Sequence, residues 1–433
     1  MMTSRSFSQQ SLNTQYVDQQ TYTLLMEQKW DDVITLGKQA LSQGIDFYYL
    51  RYRLGMAYFE TSNFHKALTH LNKAFDANPH DPTLKEYLYF ANLFINRKHE
   101  ARLIAGSMTP TQRNSLGIES DLWIESIGIT YNRGEGDSSE HTDGTMFELD
   151  PALNGEQFIS RNHSFLGVYL SHPISSGFSL YHGYAHTRKE HFYYSQSDGS
   201  IYSDPSGTSN LHQYYVSGIM RIARNLNLTA GAHYINIRYP MEVLITRGAN
   251  TFIGTETVSL NNYIGFVSMY KHLPGFTLGG SVYYAGLNQE TQLQTDAILA
   301  WYPTGNLNLY TVSTLSFQSE SKQGASQTHR QVFYQQVGGK ISNVIWLELF
   351  GSIGGMKNFL RSDAVVVYNA MDMVRQQAGA SLTISLSKHV IANLRYTFSQ
   401  NESVFNTYLP SDTALNIINY NSHSFTGGLA WIF

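Results

Sequence analysis

The chain has 433 residues, enough for two domains or one large one, and carries a formal net charge of -4 with only 14% charged residues. That balance leaves no basic footprint for nucleic acid. Cysteine is absent, which removes disulfides, thiolate metal sites and cysteine nucleophiles from consideration. No run of about 20 apolar residues is present to cross a bilayer as a helix. Aromatic residues reach 13%, with 30 Tyr and 23 Phe, a proportion that suits a membrane barrel with aromatic girdles.

The first residues, MMTSRSFSQQSLNTQ, have no apolar core and do not read as a signal peptide. Residues 1–13 are expected to form a flexible extension, and export of the chain implies either a leader removed upstream or a misassigned start. From 14 to about 110 the apolar residues recur at helical spacing. Leu54, Gly55 and Tyr58, followed by Ala67, Leu71, Ala74 and Pro79, fall on the tetratricopeptide pattern, with Arg51 and Leu71 standing where Trp and Phe are usual. One period of about 34 residues earlier, Leu24, Trp30, Val33 and Ala40 align with Tyr58, Phe64, Ala67 and Ala74. The spacing predicts a repeat over 48–81, a degenerate one over 14–47 and a weaker helical pair over 82–108. Small residues let paired helices approach, and Asn78-Pro79-His80-Asp81-Pro82 ends one repeat and opens the next. The groove of such a stack binds a partner protein; its plainer role is a cap or spacer.

After Thr109-Pro110 the period changes from helical to alternating. About fourteen alternating segments of membrane-spanning length follow, from 118–131 to 420–433. Short turns, such as 173–176, 224–225, 341–343 and 387–388, alternate with longer polar connections, including 132–157, 195–207, 245–254, 357–370 and 402–419. That asymmetry predicts short periplasmic turns and long external loops, and an even strand count leaves both barrel ends on the periplasmic side. In 389–401, Ala392, Leu394, Tyr396 and Phe398 face one way, and Asn393, Arg395, Thr397 and Ser399 the other. A charge at the lipid midplane costs roughly 2–4 kcal/mol, so Arg375 and Arg395 are expected to face a wet lumen. Arg221, His233, Gln292, Gln294 and Asp296 join them as lumen-lining candidates, with Lys340 and Glu348 behind them. Together they describe a polar, weakly cationic track suited to an uncharged or weakly anionic polymer. The long connection 132–157 is a candidate plug.

The last stretch, SHSFTGGLAWIF, alternates strictly, with Phe425, Leu429, Trp431 and Phe433 on one face. It resembles the C-terminal signal of bacterial outer-membrane β-barrels, which implies recognition by the barrel assembly machinery. A soluble sandwich would instead bury the same apolar faces against a second sheet.

No catalytic motif is visible, and no cofactor or metal site is expected. His182 and His186 share a face if they lie on a strand, but no further ligand stands at convincing spacing. The fold expected is α+β multidomain, with tetratricopeptide-like helices over 14–115 in the periplasm and a transmembrane antiparallel β-barrel of about fourteen strands over 116–433 in the outer membrane. Helical repeats followed by a barrel resemble exopolysaccharide export porins and YaiO-type barrels, and in architecture the surface lipoprotein assembly modulators. The first resemblance implies a non-enzymatic channel exporting a polysaccharide, with periplasmic enzymes docked on the repeats. The second implies a translocator or assembly factor for surface proteins. A structural barrel without transport is the remaining alternative.

Overall fold

The computed structural model describes residues 12–118, 123–137, 154–197, 199–247, 250–321, 327–407 and 415–433, so residues 1–11 of the N-terminal extension and all of 138–153 lie outside the described residues. The chain divides into a helical unit and a β unit.

The helical unit contains α1 (Thr14–Met26), α2 (Trp30–Ser42), α3 (Tyr48–Glu60), α4 (Phe64–Ala77), α5 (Pro82–Phe94), α6 (Lys98–Gly106) and α7 (Pro110–Ser115). The odd helices α1, α3 and α5 start at 14, 48 and 82, and the even helices α2, α4 and α6 at 30, 64 and 98, a spacing of 34 in both series. Gln28, Ser62 and Asn96, one in each turn between the paired helices, share a left-handed backbone with φ of 56°, 59° and 58°. Side-chain caps set several starts: Asn13 accepts from Tyr16 N at 2.8 Å, and Asp81 from Leu84 N at 3.0 Å ahead of Pro82. One core joins Val17, Ala40, Leu54, Tyr58, Leu71 and Leu88. Gly55 is needed for close approach, since a Cβ there would lie 2.5 Å from the Leu71 side chain. Of the signature residues, Leu54, Gly55, Tyr58, Ala67, Leu71 and Ala74 are buried, and Pro79 is exposed in the α4–α5 connection.

The β unit begins with β1 (Ser126–Gly136), β2 (Gly155–Ser175), β3 (Phe178–Ser197), β4 (Ser200–Ala223), β5 (Leu226–Arg247) and β6 (Asn250–Leu273). It continues through β7 (Phe276–Leu287), β8 (Glu290–Trp301), β9 (Leu309–Ser321), β10 (Thr328–Ser342) and β11 (Ile345–Met356). A small hairpin of β12 (Phe359–Arg361) and β13 (Val366–Tyr368) precedes β14 (Met373–Ser385), β15 (Val390–Thr407) and β16 (Leu415–Ile432). Fourteen of these strands close into an antiparallel barrel, with β1 sealed to β16 from Ser126↔Ile432 to Gly136↔Ser422. The turns β2–β3, β4–β5, β6–β7 and β10–β11 share one rim with the start of β1 and the end of β16. On the other rim β4, β6 and β8 each begin three residues after β3, β5 and β7 end, so the expected alternation of short and long connections is corrected there.

Three expectations are corrected. The first strand runs 126–136 rather than 118–131, because its two-faced alternation starts only at Ile127, Ile129 and Tyr131. The supposed loops 195–207 and 245–254 are mostly strand, since β3 and β5 continue to 197 and 247 and β4 and β6 resume at 200 and 250. Ser, Asp, Gly and Pro over 195–207 and Gly and Asn over 245–254 read as turn chemistry, which hides such extensions. The strands β4 and β6 reach 24 residues against 12 in β7 and β8. A spanning strand takes about 9–11 residues, so one side of the barrel rises well past that length.

Within the helical unit, His70 stacks on Tyr58 with ring centroids 5.4 Å apart, and its Nδ1 lies 3.0 Å from Arg51 Nη1. Burial, then the Arg51 and Lys73 charges, pulls its imidazole down to about 4. An unfolded imidazole titrates near about 6.5, so the unfolded chain binds the extra proton as pH falls from there toward the folded value. Stability from this group is complete above that window and is lost as pH drops through it. His70→Gln is expected to flatten the dependence by about 1 kcal/mol near pH 4.5. Far-UV circular dichroism melts of the full chain at pH 7 and pH 4.5 check this.

Candidate functional site: the barrel lumen and its inward segment

Inner and outer positions alternate along each strand. On β7 and β8, Tyr283, Ala285, Gln292, Gln294 and Asp296 are buried, whereas Val282, Tyr284, Leu293 and Leu299 are exposed. The exposed face is apolar and aromatic. Tyr184, Tyr214, Tyr234 and Tyr263 stand side by side on β3 to β6, paired strand to strand, and all are outward. Phe425, Leu429, Trp431 and Phe433 are likewise exposed on the outside of the last strand.

The inner face is less uniform than the sequence suggested. On β4 to β7 it carries Leu211, Tyr215, Ile235, Ile237, Ile264, Phe266, Tyr283 and Leu287 in one buried cluster. Aromatic rings run around the inner wall from Tyr169 through Tyr181, Tyr215 and Phe266 to Tyr283, with successive centroids 5.8, 5.8, 6.2 and 6.0 Å apart. The expected polar, weakly cationic track is therefore corrected on this side: alternation gave the facing of each residue, but these strands place apolar residues on the inner parity as well.

The segment between β11 and β14 covers this patch. Of the connection 132–157 that was a candidate plug, residues 132–136 and 155–157 belong to β1 and β2 and 138–153 lie outside the described residues; the segment that turns inward among the described residues is 357–372. Gly354 starts the turn inward: its φ is +128°, the β11 register shifts beyond Ile353, and a Cβ would lie 2.2 Å from the Gln331 carbonyl oxygen. Asn358, fully buried, then donates to Glu320 at 2.5 Å and Glu290 at 2.8 Å and accepts from Asn288 at 2.9 Å. Gln294 holds Leu360 from both sides, donating to its carbonyl at 2.6 Å and accepting from its N–H at 3.0 Å.

Leu360 and Ala364 are fully buried within the apolar cluster. Between them, Asp363 accepts from Ser268 at 2.5 Å and Tyr270 at 3.0 Å, and its carbonyl accepts from Tyr215 at 2.9 Å. His233 Nδ1 donates to the Ala364 carbonyl at 2.8 Å. Ser362, Asp363 and Ala364 are all left-handed, with φ of 55°, 53° and 60°. Further on, Asp372 accepts from Ser160 N at 2.8 Å and Ser160 Oγ at 2.7 Å, and from the Tyr420 hydroxyl. The segment thus bridges the lumen from the β4–β9 wall to β2 and β16.

The lumen candidates divide by place. His233, Gln294 and Asp296 gather at the inward segment, with Gln294 donating to Asp296 at 2.9 Å. Gln292 accepts from Gln318, which also donates to the Lys357 carbonyl at 3.0 Å. Arg395 lies over the Phe350 ring at 3.8 Å, beside the stack of Arg361 on Tyr334 at 4.8 Å. Arg375 and Arg221 are not brought to this site. Arg375 pairs with Glu402 at 2.6 Å, and Arg221 sits near the short-turn rim, donating to the Ala223 carbonyl at 3.3 Å. His182 and His186 do not converge either: His182 meets His172 at 3.0 Å, and His186 packs against His212. Asn358, Leu360, Asp363 and Asp372 were missed. For the first three the signal was the apolar content of FL and VVV inside the connection 357–370 that was read as polar, whereas Asp372 fell in the segment 371–386 read as strand.

No protein-family model matches the sequence, and no curated protein matches it significantly. Solved structures with a similar barrel include the toluene transporter TodX of Pseudomonas putida, at 9% identity over 75% of this chain and 92% of that one, TM-score 0.44. A FadL homologue of Pseudomonas aeruginosa aligns at 10% identity over 71% of this chain and 90% of that one, TM-score 0.41. A bacterial polysaccharide outer-membrane secretin aligns at 10% identity over 72% of this chain and all of that one, TM-score 0.35. Likeness this distant carries no inference about cargo, and the barrel stands on its own strand pairing.

Gly354→Ala is expected to loosen the inward segment and the β10–β11 pairing beside it, leaving the rest of the ladder closed. Hydrogen exchange of 357–372 should accelerate roughly 10-fold, equivalent to about 1.4 kcal/mol, while β7 and β8 amides stay protected. Uniform acceleration across the barrel would contradict this.

Proposed function

We propose that the chain is an outer-membrane channel that is closed in this state by its 357–372 segment. The observation carrying the reading is the pairing of an apolar exterior with a hydrogen-bonded inward segment in one closed barrel. Lipid satisfies the exposed Leu, Val, Phe and Trp side chains, and the outward tyrosine row fits an interfacial girdle. The C-terminal strand is the signal for the assembly machinery. The helical unit, with its spacing of 34 residues and its repeated left-handed turns, is read as tetratricopeptide-like and periplasmic, docking a partner protein in its groove. The reading assigns no catalysis and no cofactor.

Two cargoes fit different walls. Gln292, Gln294 and Gln318 favour a neutral polysaccharide, because amides exchange hydrogen bonds with hydroxyls. The aliphatic side of the β4–β7 cluster favours a small apolar solute instead.

The chain contains no native cysteine, so engineered pairs report cleanly. Ser160→Cys with Asp372→Cys should form a disulfide that ties the segment to β2. In planar bilayers the oxidised variant is expected to carry no current, and reductant should release stepwise openings. Equal current in both states sinks the gating reading. For the polysaccharide cargo, deletion of the protein should trap polymer in the periplasm; unchanged surface polymer counts against it.

A further inference from the structure

We propose that the inner patch of Leu211, Tyr215, Ile235, Ile264, Phe266 and Tyr283 is a binding site for a small uncharged hydrocarbon-like solute, which Leu360 and Ala364 occupy when no solute is bound. The proposal rests on the channel reading and names the solute class of that same lumen.

The chemistry of the two partners differs in a way that matters. The covering segment is fastened by polar contacts: Gln294 to Leu360, Ser268 and Tyr270 to Asp363, Tyr215 to the Asp363 carbonyl and His233 to the Ala364 carbonyl. Water can replace each of these when the segment moves away, because both halves of every pair are ordinary donors and acceptors. Water cannot replace what Leu360 and Ala364 do. Their fully buried side chains keep a contiguous apolar surface, spread over β4, β5, β6 and β7, out of the wet lumen. Departure of the segment leaves that surface uncovered unless another apolar body takes its place.

Shape favours a flat occupant. Tyr215 and Phe266 lie nearly parallel, 17° between planes with centroids 6.2 Å apart, and Tyr283 continues the row at 6.0 Å from Phe266. Flanking Ile235, Ile264 and Leu211 supply methyl groups and no donors. The Tyr215 hydroxyl, His233 and Gln294 hold the segment's backbone, and Ser268 and Tyr270 hold the Asp363 side chain. The surface that Leu360 and Ala364 cover is instead built of rings and branched aliphatics, which a hydrocarbon satisfies without a donor or acceptor.

The test uses the full chain in lipid nanodiscs with Ser268→Cys and Asp363→Cys, whose parent side chains touch at 2.5 Å. The probe is an uncharged phenyl diazirine, mapped by mass spectrometry after illumination. Outward Tyr214 and Tyr284 face lipid and serve as internal references for probe delivered from the bilayer. With the disulfide reduced, labelling of Tyr215, Phe266 and Tyr283 should rise at least five-fold relative to Tyr214 and Tyr284 over the oxidised form. Both forms carry the same substitutions, so a folding defect would appear equally in each. Equal inner labelling in the two forms, or none in the reduced form, overturns the site. Current measured on the same protein in planar bilayers separates the two readings. Current without inner labelling leaves the channel and removes the site, while inner labelling without current leaves the site and removes the channel.

Discussion

Closure of the hydrogen-bond ladder is the constraint on which the β unit depends. A strand that faces hydrocarbon has no water for its amide groups, so every N–H and C=O must find a neighbouring strand. Pairing β1 with β16 through eleven register positions, from Ser126↔Ile432 to Gly136↔Ser422, removes the two edges that an open sheet would leave. Once closed, the sheet has an inside and an outside, and the two-residue period assigns each side chain to one of them. The final strand is where this is completed, which is why its greasy face is so regular.

Closure also creates a problem inside. Alternation alone decides which way a residue points, and it does not require the inner set to be polar. On β4 to β7 the inner set is largely apolar, and the chain covers it with its own Leu360 and Ala364. The carboxylates Asp363 and Asp372 then hold the covering segment to opposite walls, through Ser268 and Tyr270 on one side and Ser160 and Tyr420 on the other. The interior is thus organised as two kinds of surface, one fastening and one needing cover.

Much of this was legible in the residues. Strands such as β7, β8 and β14 show one solvent per face, so their limits fall within about two residues of the alternating segments. The helix starts at 14, 48 and 82 coincide with the spacing of Leu24, Tyr58 and their neighbours. What stayed hidden had no local signature. The ends 200–207, 245–247 and 250–254 of β4, β5 and β6 carry Gly, Asn, Asp, Ser and Pro among their residues or beside them, which reads as turn chemistry. The inward course of 357–372 depends on partners such as Gln294, Ser268 and Ser160, distant in sequence, and a turn at Gly354 that reads like any other glycine. His233 and Gln294 are buried and meet at that segment, a shared role that required the third dimension.

The run Ser362–Asp363–Ala364 has a thermodynamic meaning of its own. Three successive side-chain-bearing residues with φ between 53° and 60° lie in a sparsely populated backbone region, each costing of order 1 kcal/mol. The anchors at Ser268, Tyr270, Tyr215 and His233 converge on these residues and their neighbours, so the hydrogen bonds sit where the backbone is least content to stay.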